Sequence, residues 1–175
     1  MITAALHFRP VLDAAEMNVP TIRVLSNNTG VYHDPDPAAI KTRLFFQLFH
    51  PVNWIGNLDT AFHDGITTVV EFGGGLGSGA IALLEHFESI GRMAQISSYQ
   101  LTEISPLFLK RAQRSLAALR PRCTMRFATL DIDRPFTEAG IEPGSVSMVY
   151  GVNVLHVARD LGKTLTELRS ALRAG

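Results

Sequence analysis

The chain has 175 residues, enough for one domain or for one domain with an appended segment. A hydrophobic share of 46% supports a packed core, and sixteen basic against sixteen acidic residues leave no electrostatic footprint for nucleic acid. Cys123 stands alone, which excludes a disulfide framework and a cysteine metal cluster, and the six histidines are scattered without zinc-site spacing, so no metal is expected. No apolar run reaches the length of a membrane span and the N-terminus lacks a signal-peptide pattern, so a cytoplasmic protein with no membrane partner is expected.

Residues 1–20 carry little periodicity. Ile22 to Leu25 is a short apolar run ended by Ser-Asn-Asn-Thr-Gly, which predicts a strand and a turn. Asp34-Pro-Asp-Pro supplies cap and first-turn signals for a helix from about Pro37 to Phe49, with Ile40, Leu44, Phe45 and Leu48 at helical spacing. Pro51 breaks it, and Asn53 to His63 reads as a second helix with Trp54, Leu58, Ala61 and Phe62 on one face.

From Thr67 the order alternates. Thr68–Phe72 reads as a buried strand running into Gly73-Gly-Gly-Leu-Gly-Ser-Gly, followed by a helix from about Gly79 to Glu88. Ile96–Leu101 is the next strand, and Ser105-Pro106 starts a helix to about Leu119 with Leu109, Ala112, Leu116 and Leu119 inward. Thr124–Leu130 and Val146–Val152 read as strands. Asp160 to Arg173 reads as a helix with Leu161, Leu165, Leu168 and Leu172 as its buried stripe. The alternation predicts an α/β, Rossmann-like parallel sheet with helices on both faces.

Glycine is used where backbone approaches a ligand closely or takes positive φ, and a helix N-terminus beyond such a turn points free N–H groups outward. Glu71, Glu103 and Asp131 each fall at or just after the carboxyl end of a predicted parallel strand, the edge along which open α/β sheets bind ligands. An acid in the place of Glu103 can accept hydrogen bonds from ribose hydroxyls, and Asp131 would lie near an adenine. Taken singly, either residue could equally be an ordinary strand-end acid.

Glu71-Phe-Gly-Gly-Gly-Leu-Gly resembles motif I of the class I S-adenosylmethionine-dependent methyltransferases, E/D-x-G-x-G-x-G. Tyr99-Gln-Leu-Thr-Glu resembles their second-strand motif and Leu130-Asp131-Ile132 their adenine-side motif. The run from Glu142 to Leu161, containing Asn153-Val-Leu-His, is similar to the fourth-strand region of methyltransferase domains in polyketide synthases. The resemblance implies S-adenosylmethionine as cofactor, held by Glu71, Gly73, Gly74, Gly75, Gly77, Glu103, Asp131, Ile132 and Asn153. It implies His156 as the base, and as methyl acceptor a small-molecule or carrier-protein-bound acyl intermediate of β-ketoacyl thioester type. It also implies a longer sheet: strands five to seven are missing, strand four becomes an apolar edge, and the isolated chain is expected to be a fragment with weak or absent catalysis. Tyr99 and Tyr150 read as packing residues.

Residues before the glycine loop resemble a different family, the malonyl-CoA:acyl-carrier-protein transacylases, over Val24-Leu-Ser-Asn-Asn-Thr-Gly and Gln47-Leu-Phe-His-Pro-Val-Asn-Trp. That resemblance places His7 at the catalytic histidine and Gln47 at the active-site glutamine. No Gly-x-Ser-x-Gly nucleophile elbow occurs in the chain, so acyl transfer lacks its serine and both residues read rather as surface polar groups. The expected organisation is residues 1–66 as an acyltransferase-like segment and 67–175 as a truncated methyltransferase core, with neighbouring biosynthetic modules as partners. The alternatives are a transacylase remnant and a non-catalytic fragment.

Overall fold

The computed structural model describes residues 2–21, 23–119 and 123–173. The chain divides into two compact units, residues 1–64 and 65–175.

The first unit holds α1 (Ile2–Ala14), α2 (Pro37–Phe46) and α3 (Trp54–His63). Most of the stretch that carries little periodicity in the sequence is thus a helix. Its buried residues are Ala5 and Leu12, whereas Leu6 and Val11 point outward at 69% and 66% exposure, and apolar residues on both faces blur the period. Lys41 Nζ donates to the Asp13 carbonyl (2.9 Å) and the Arg9 guanidinium lies 5.3 Å from the centre of the Phe45 ring, so α1 and α2 pack together. Asp36 caps α2, its carboxylate accepting the Ala38 and Ala39 N–H groups (3.1 Å each) with Pro37 at the first helical position. The strand expected at 22–25 is reduced to one antiparallel bridge, Leu25 with Tyr32, around the Asn27–Gly30 turn; Ile22 lies outside the described residues. Asn57 Nδ2 donates to Asn27 Oδ1 (2.8 Å) and Thr60 Oγ1 to the Gly30 carbonyl (2.6 Å), which ties that turn to α3. His7 is exposed on α1 and Gln47 follows α2, with no hydrogen bond between them among the described residues.

The second unit is a parallel sheet of β1 (Thr68–Phe72), β2 (Ser98–Glu103), β3 (Thr124–Thr129) and β4 (Met148–Gly151), in the order β3-β2-β1-β4. Three helices join it: α4 (Ser78–Ser89), α5 (Pro106–Leu119) and α6 (Leu161–Ala171). Alternation along β1 sends Val70 and Phe72 to one face and Val69 and Glu71 to the other. On the first face they meet Phe136, Ala139, Ile141, Val146 and Ala171, with Phe72 and Phe136 edge-to-face at 4.9 Å, a contact worth about 0.5–1.5 kcal/mol. On the second face Tyr99 and Leu101 are fully buried beneath α4 and α5, where Leu109, Ala112 and Leu116 turn inward as their spacing predicts. The Leu119 side chain lies outside the described residues.

Two expectations need correction. Ile96 belongs not to a strand but to the end of a helical turn, Met93–Gln95, and pairing starts two residues later at Ser98. The face of α6 turned to the sheet is Thr164, Leu168 and Ala171, while Leu161 and Leu165 are 50% and 48% exposed and Leu172 also faces outward. Small side chains at 164 and 171 let the helix approach closely, and a close helix excludes the bulkier leucines. Beyond α6, Leu172 forms one parallel bridge with Val146 on the side of β4 away from β1.

Candidate functional site

All four strands are parallel, so their carboxyl ends lie along one edge. The chain crosses from β1 to β2 on one side and from β3 to β4 on the other, so a crevice opens at that edge beside β1.

The glycine loop after β1 takes positive φ at Gly73 (60°), Gly75 (54°) and Gly77 (88°), with Gly77 immediately before α4. Three of its amides are engaged within the protein. Gly74 N–H donates to the Thr102 carbonyl (2.9 Å) and Gly77 N–H to the Gly74 carbonyl (2.8 Å). Gly75 N–H donates to Glu103 Oε2 (2.9 Å), and Ser105 N–H donates to the other Glu103 oxygen (3.0 Å). The Glu103 carboxylate thus braces the loop to the start of α5 and keeps one lone pair on each oxygen for a further donor.

Above the loop is a cavity of about 420 Å³. Gly73 forms part of its floor, Glu103, Asp131 and Asp133 present carboxylates, and Ile132, Val152, Val154 and Val157 make an apolar wall, with Asn153 and Arg159 at its border. Asp131 Oδ1 accepts the Asp133 N–H (3.0 Å), while Asp133 Oδ1 accepts the Arg159 N–H (2.9 Å). Asn153 is the one non-glycine residue of positive φ (56°) among the described residues, at the turn where β4 meets the cavity. The structure therefore brings Gly73, Glu103, Asp131, Ile132 and Asn153 to one cavity.

The other sequence-predicted residues lie elsewhere. Gly74 packs against β2, where an added Cβ would fall 2.6 Å from Leu101 Cγ, and Gly77 lies against Ala112 of α5 (3.2 Å to the Cβ it would carry). Gly75 touches the site through the hydrogen bond its N–H donates to Glu103. His156 is exposed on the helical turn Leu155–Val157, between two residues that line the cavity without lining it itself. Glu71 is 2% exposed and does not reach the cavity: it lies beneath the loop, accepts the Tyr99 hydroxyl at Oε2 (2.8 Å) and is also hydrogen-bonded to Tyr150, whose hydroxyl meets that of Tyr99. Burial raises the Glu71 carboxyl above its ordinary range, and the two tyrosine hydrogen bonds oppose this; burial also pushes both phenols up. Two tyrosines read as packing residues are thus a buried polar cluster. Spacing alone does not reveal it, because the partners come from three strands.

Asp133 and Arg159 are cavity residues that the motif reading missed. The signal for Asp133 was present: in Asp131-Ile-Asp133 two acids flank one apolar residue just past a strand end.

The model for the methyltransferase-domain family matches residues 70–175. The chain is 36% identical over 123 residues to highly reducing polyketide synthase 2 of Gibberella zeae, which covers 67% of this chain and 5% of that protein. It is 34% identical over 105 residues to the methyltransferase calH of Penicillium decumbens, covering 60% of this chain and 28% of that one. The structure of the CurJ carbon methyltransferase superposes with a TM-score of 0.54 at 30% identity, over 63% of this chain and 27% of that one. The chain thus spans a small part of each relative's length.

The cavity's chemistry fits the cofactor of that family. Three loop amides, those of Gly74, Gly75 and Gly77, are spent on Thr102, Glu103 and Gly74, and the three carboxylates of the cavity would repel a phosphate. A ligand with a vicinal diol, a flat heterocycle and a positive charge meets acceptors on Glu103, the apolar wall at Ile132 and the acidic lining. Matched over most of its length, built on that family's sheet and equipped with a cavity of this kind, the chain belongs to the S-adenosylmethionine-dependent methyltransferase-domain family.

Proposed function

We propose that the cavity binds S-adenosylmethionine and that the chain's chemistry is methyl transfer to a polyketide-type acyl intermediate, small or carrier-bound. The observation that carries the cofactor assignment is Glu103. Its two oxygens each hold one backbone N–H, which fixes the carboxylate where it lines the cavity and leaves acceptor capacity on both oxygens for the two hydroxyls of a ribose. Asp131 and Ile132 then take the adenine edge and face, and Gly73 allows close backbone approach. Glu71 acts from below, holding the loop's entry rather than touching the ligand.

The bound cofactor supplies an activated methyl group, so the chain's own part is alignment and, for a carbon acceptor, removal of a proton. His156, on the turn that carries the lining residue Val157, would take the α-proton of a β-ketoacyl thioester acceptor, and a bound cofactor would supply the methyl group. Support for this acceptor class comes from the polyketide synthase relatives. Residues 1–66 we read as a transacylase-like segment without acyl transfer of its own, since the chain carries no serine elbow. Among the described residues no helix is long and apolar enough to cross a membrane.

Titration calorimetry of the full chain with S-adenosylhomocysteine tests the cofactor reading. Binding that weakens about tenfold or more in Glu103→Ala is expected, because charge-assisted acceptors are lost; no heat from folded protein sinks the reading. Methyl transfer to a β-ketoacyl thioester mimic tests the acceptor: His156→Ala should abolish turnover and leave S-adenosylhomocysteine affinity unchanged.

A further inference from the structure

The wall segment 131–136 is tied to segment 159–167 by three contacts. Asp133 Oδ1 accepts the Arg159 N–H (2.9 Å), Glu167 Oε2 accepts the Phe136 N–H (3.2 Å), and the Thr164 hydroxyl lies 3.2 Å from the Ile132 carbonyl. Thr164 is polar, inside a helix and only 1% exposed, and none of the expected methyltransferase motifs uses it.

A hydroxyl has one hydrogen, and the Asp160 carbonyl one turn back is also in range at 3.1 Å. The Asp160 carbonyl already accepts the Thr164 backbone N–H (3.0 Å). Among the described residues no other donor reaches the Ile132 carbonyl. Leaving that buried carbonyl without a donor is the costlier arrangement, so the hydrogen goes to Ile132.

The peptide joining Ile132 to Asp133 is one rigid plane. Its carbonyl end is held by Thr164, and its N–H end donates to Asp131 Oδ1 (3.0 Å). We propose that Thr164 is a positioning residue: through this single peptide plane its hydroxyl sets the direction of the Asp131 carboxylate and of the Ile132 wall toward the adenosine part of the cofactor. The proposal rests on the cofactor reading given above. A threonine serves here because its methyl fills the packed space against the sheet while its hydroxyl reaches across; valine keeps the shape alone and serine the hydroxyl alone.

That separation makes the test. Full-length wild type, Thr164→Val and Thr164→Ser are titrated with S-adenosylhomocysteine and melted in parallel. Thr164→Val should bind about tenfold more weakly, whereas Thr164→Ser should bind within about twofold of wild type although its melting temperature falls, because a buried methyl is lost. In an Asp131→Ala background Thr164→Val should cost clearly less affinity than it does alone, since one of the two groups it positions is gone. This background arm also serves with Thr164→Ala, should the valine variant fail to fold. Affinities that follow the melting temperatures, a Thr164→Val protein that binds as wild type, or full additivity with Asp131→Ala would each overturn the positioning role. A folded wild type that binds no S-adenosylhomocysteine removes the cofactor reading itself, a result distinct from all three.

Discussion

Gly74 and Gly75 are neighbours in the same loop, yet they are glycines for different reasons. At Gly74 space is the constraint: a Cβ would stand 2.6 Å from Leu101 Cγ, and Leu101 is fully buried. At Gly75 there is no atom within 4 Å, but φ is +54°. Gly74→Ala should therefore cost about 1–3 kcal/mol by overpacking. Much of that should return in the Gly74→Ala/Leu101→Ala double variant relative to additivity. Gly75→Ala should cost about 1–2 kcal/mol from backbone conformation, with nothing recovered by Leu101→Ala. Urea midpoints of the wild type, the three single variants and the two double variants decide, and equal coupling of both glycines to Leu101 would refute the distinction. Glu71 makes a second residue-scale prediction. Its carboxyl is raised above the ordinary value of 4.5, first by burial. A carboxyl raised on folding binds more protons in the folded than in the unfolded state, so stability is greatest below the unfolded value and declines as pH rises through the folded one. Wild-type urea midpoints should therefore fall on going upward from pH 4.5, and Glu71→Gln, which cannot ionise, should lose that slope. Parallel profiles for the two proteins would show that Glu71 does not titrate differently on folding. The sequence placed Glu71 correctly at a strand end. It could not say that Tyr99 and Tyr150, from neighbouring strands, would enclose it.

At the scale of elements, what was legible depended on where the strongest local signal came from. β1 was readable to the residue, Thr68–Phe72, because an apolar run ends abruptly in glycines. α5 was readable because Leu109, Ala112 and Leu116 keep one inward period along it, although Leu107 and Phe108 at its start face outward. α6 misled because its leucines fall at helical spacing, yet only Leu168 faces the sheet, with Thr164 and Ala171, while Leu161, Leu165 and Leu172 face outward. That correction has a measurable consequence. Leu165→Lys sits on the outward face and should change stability by no more than about 0.5 kcal/mol. Leu168→Ala lies against the Val70–Phe72–Phe136 core and should cost about 2 kcal/mol, the lower end for a leucine truncation because the site is only partly buried. Chemical denaturation of the two variants distinguishes the faces, and the reverse order would restore the leucine stripe.

For the molecule as a whole, the division at residue 65 bears on where binding energy resides. The cavity is lined from Gly73 to Arg159, and the core cluster that supports it runs from Val70 to Ala171. Every hydrogen bond described above for the loop, the acids and the Tyr–Glu cluster likewise joins residues within 65–175. The motifs made this visible, because Glu71, Glu103 and Asp131 follow successive strands; the bracing role of Glu103 was not visible, because its partners Gly75 and Ser105 meet only after folding. A unit with its own sheet, core and site carries what it needs to fold and bind. Residues 65–175 expressed alone should unfold in one cooperative transition and bind S-adenosylhomocysteine within about threefold of the full chain, a difference under about 0.7 kcal/mol. Loss of cooperativity would show that residues 1–64 contribute to the fold of the sheet. Retained cooperativity with binding weakened more than tenfold would show instead that they contribute to the site, and calorimetry and thermal melting of the same two proteins separate these results.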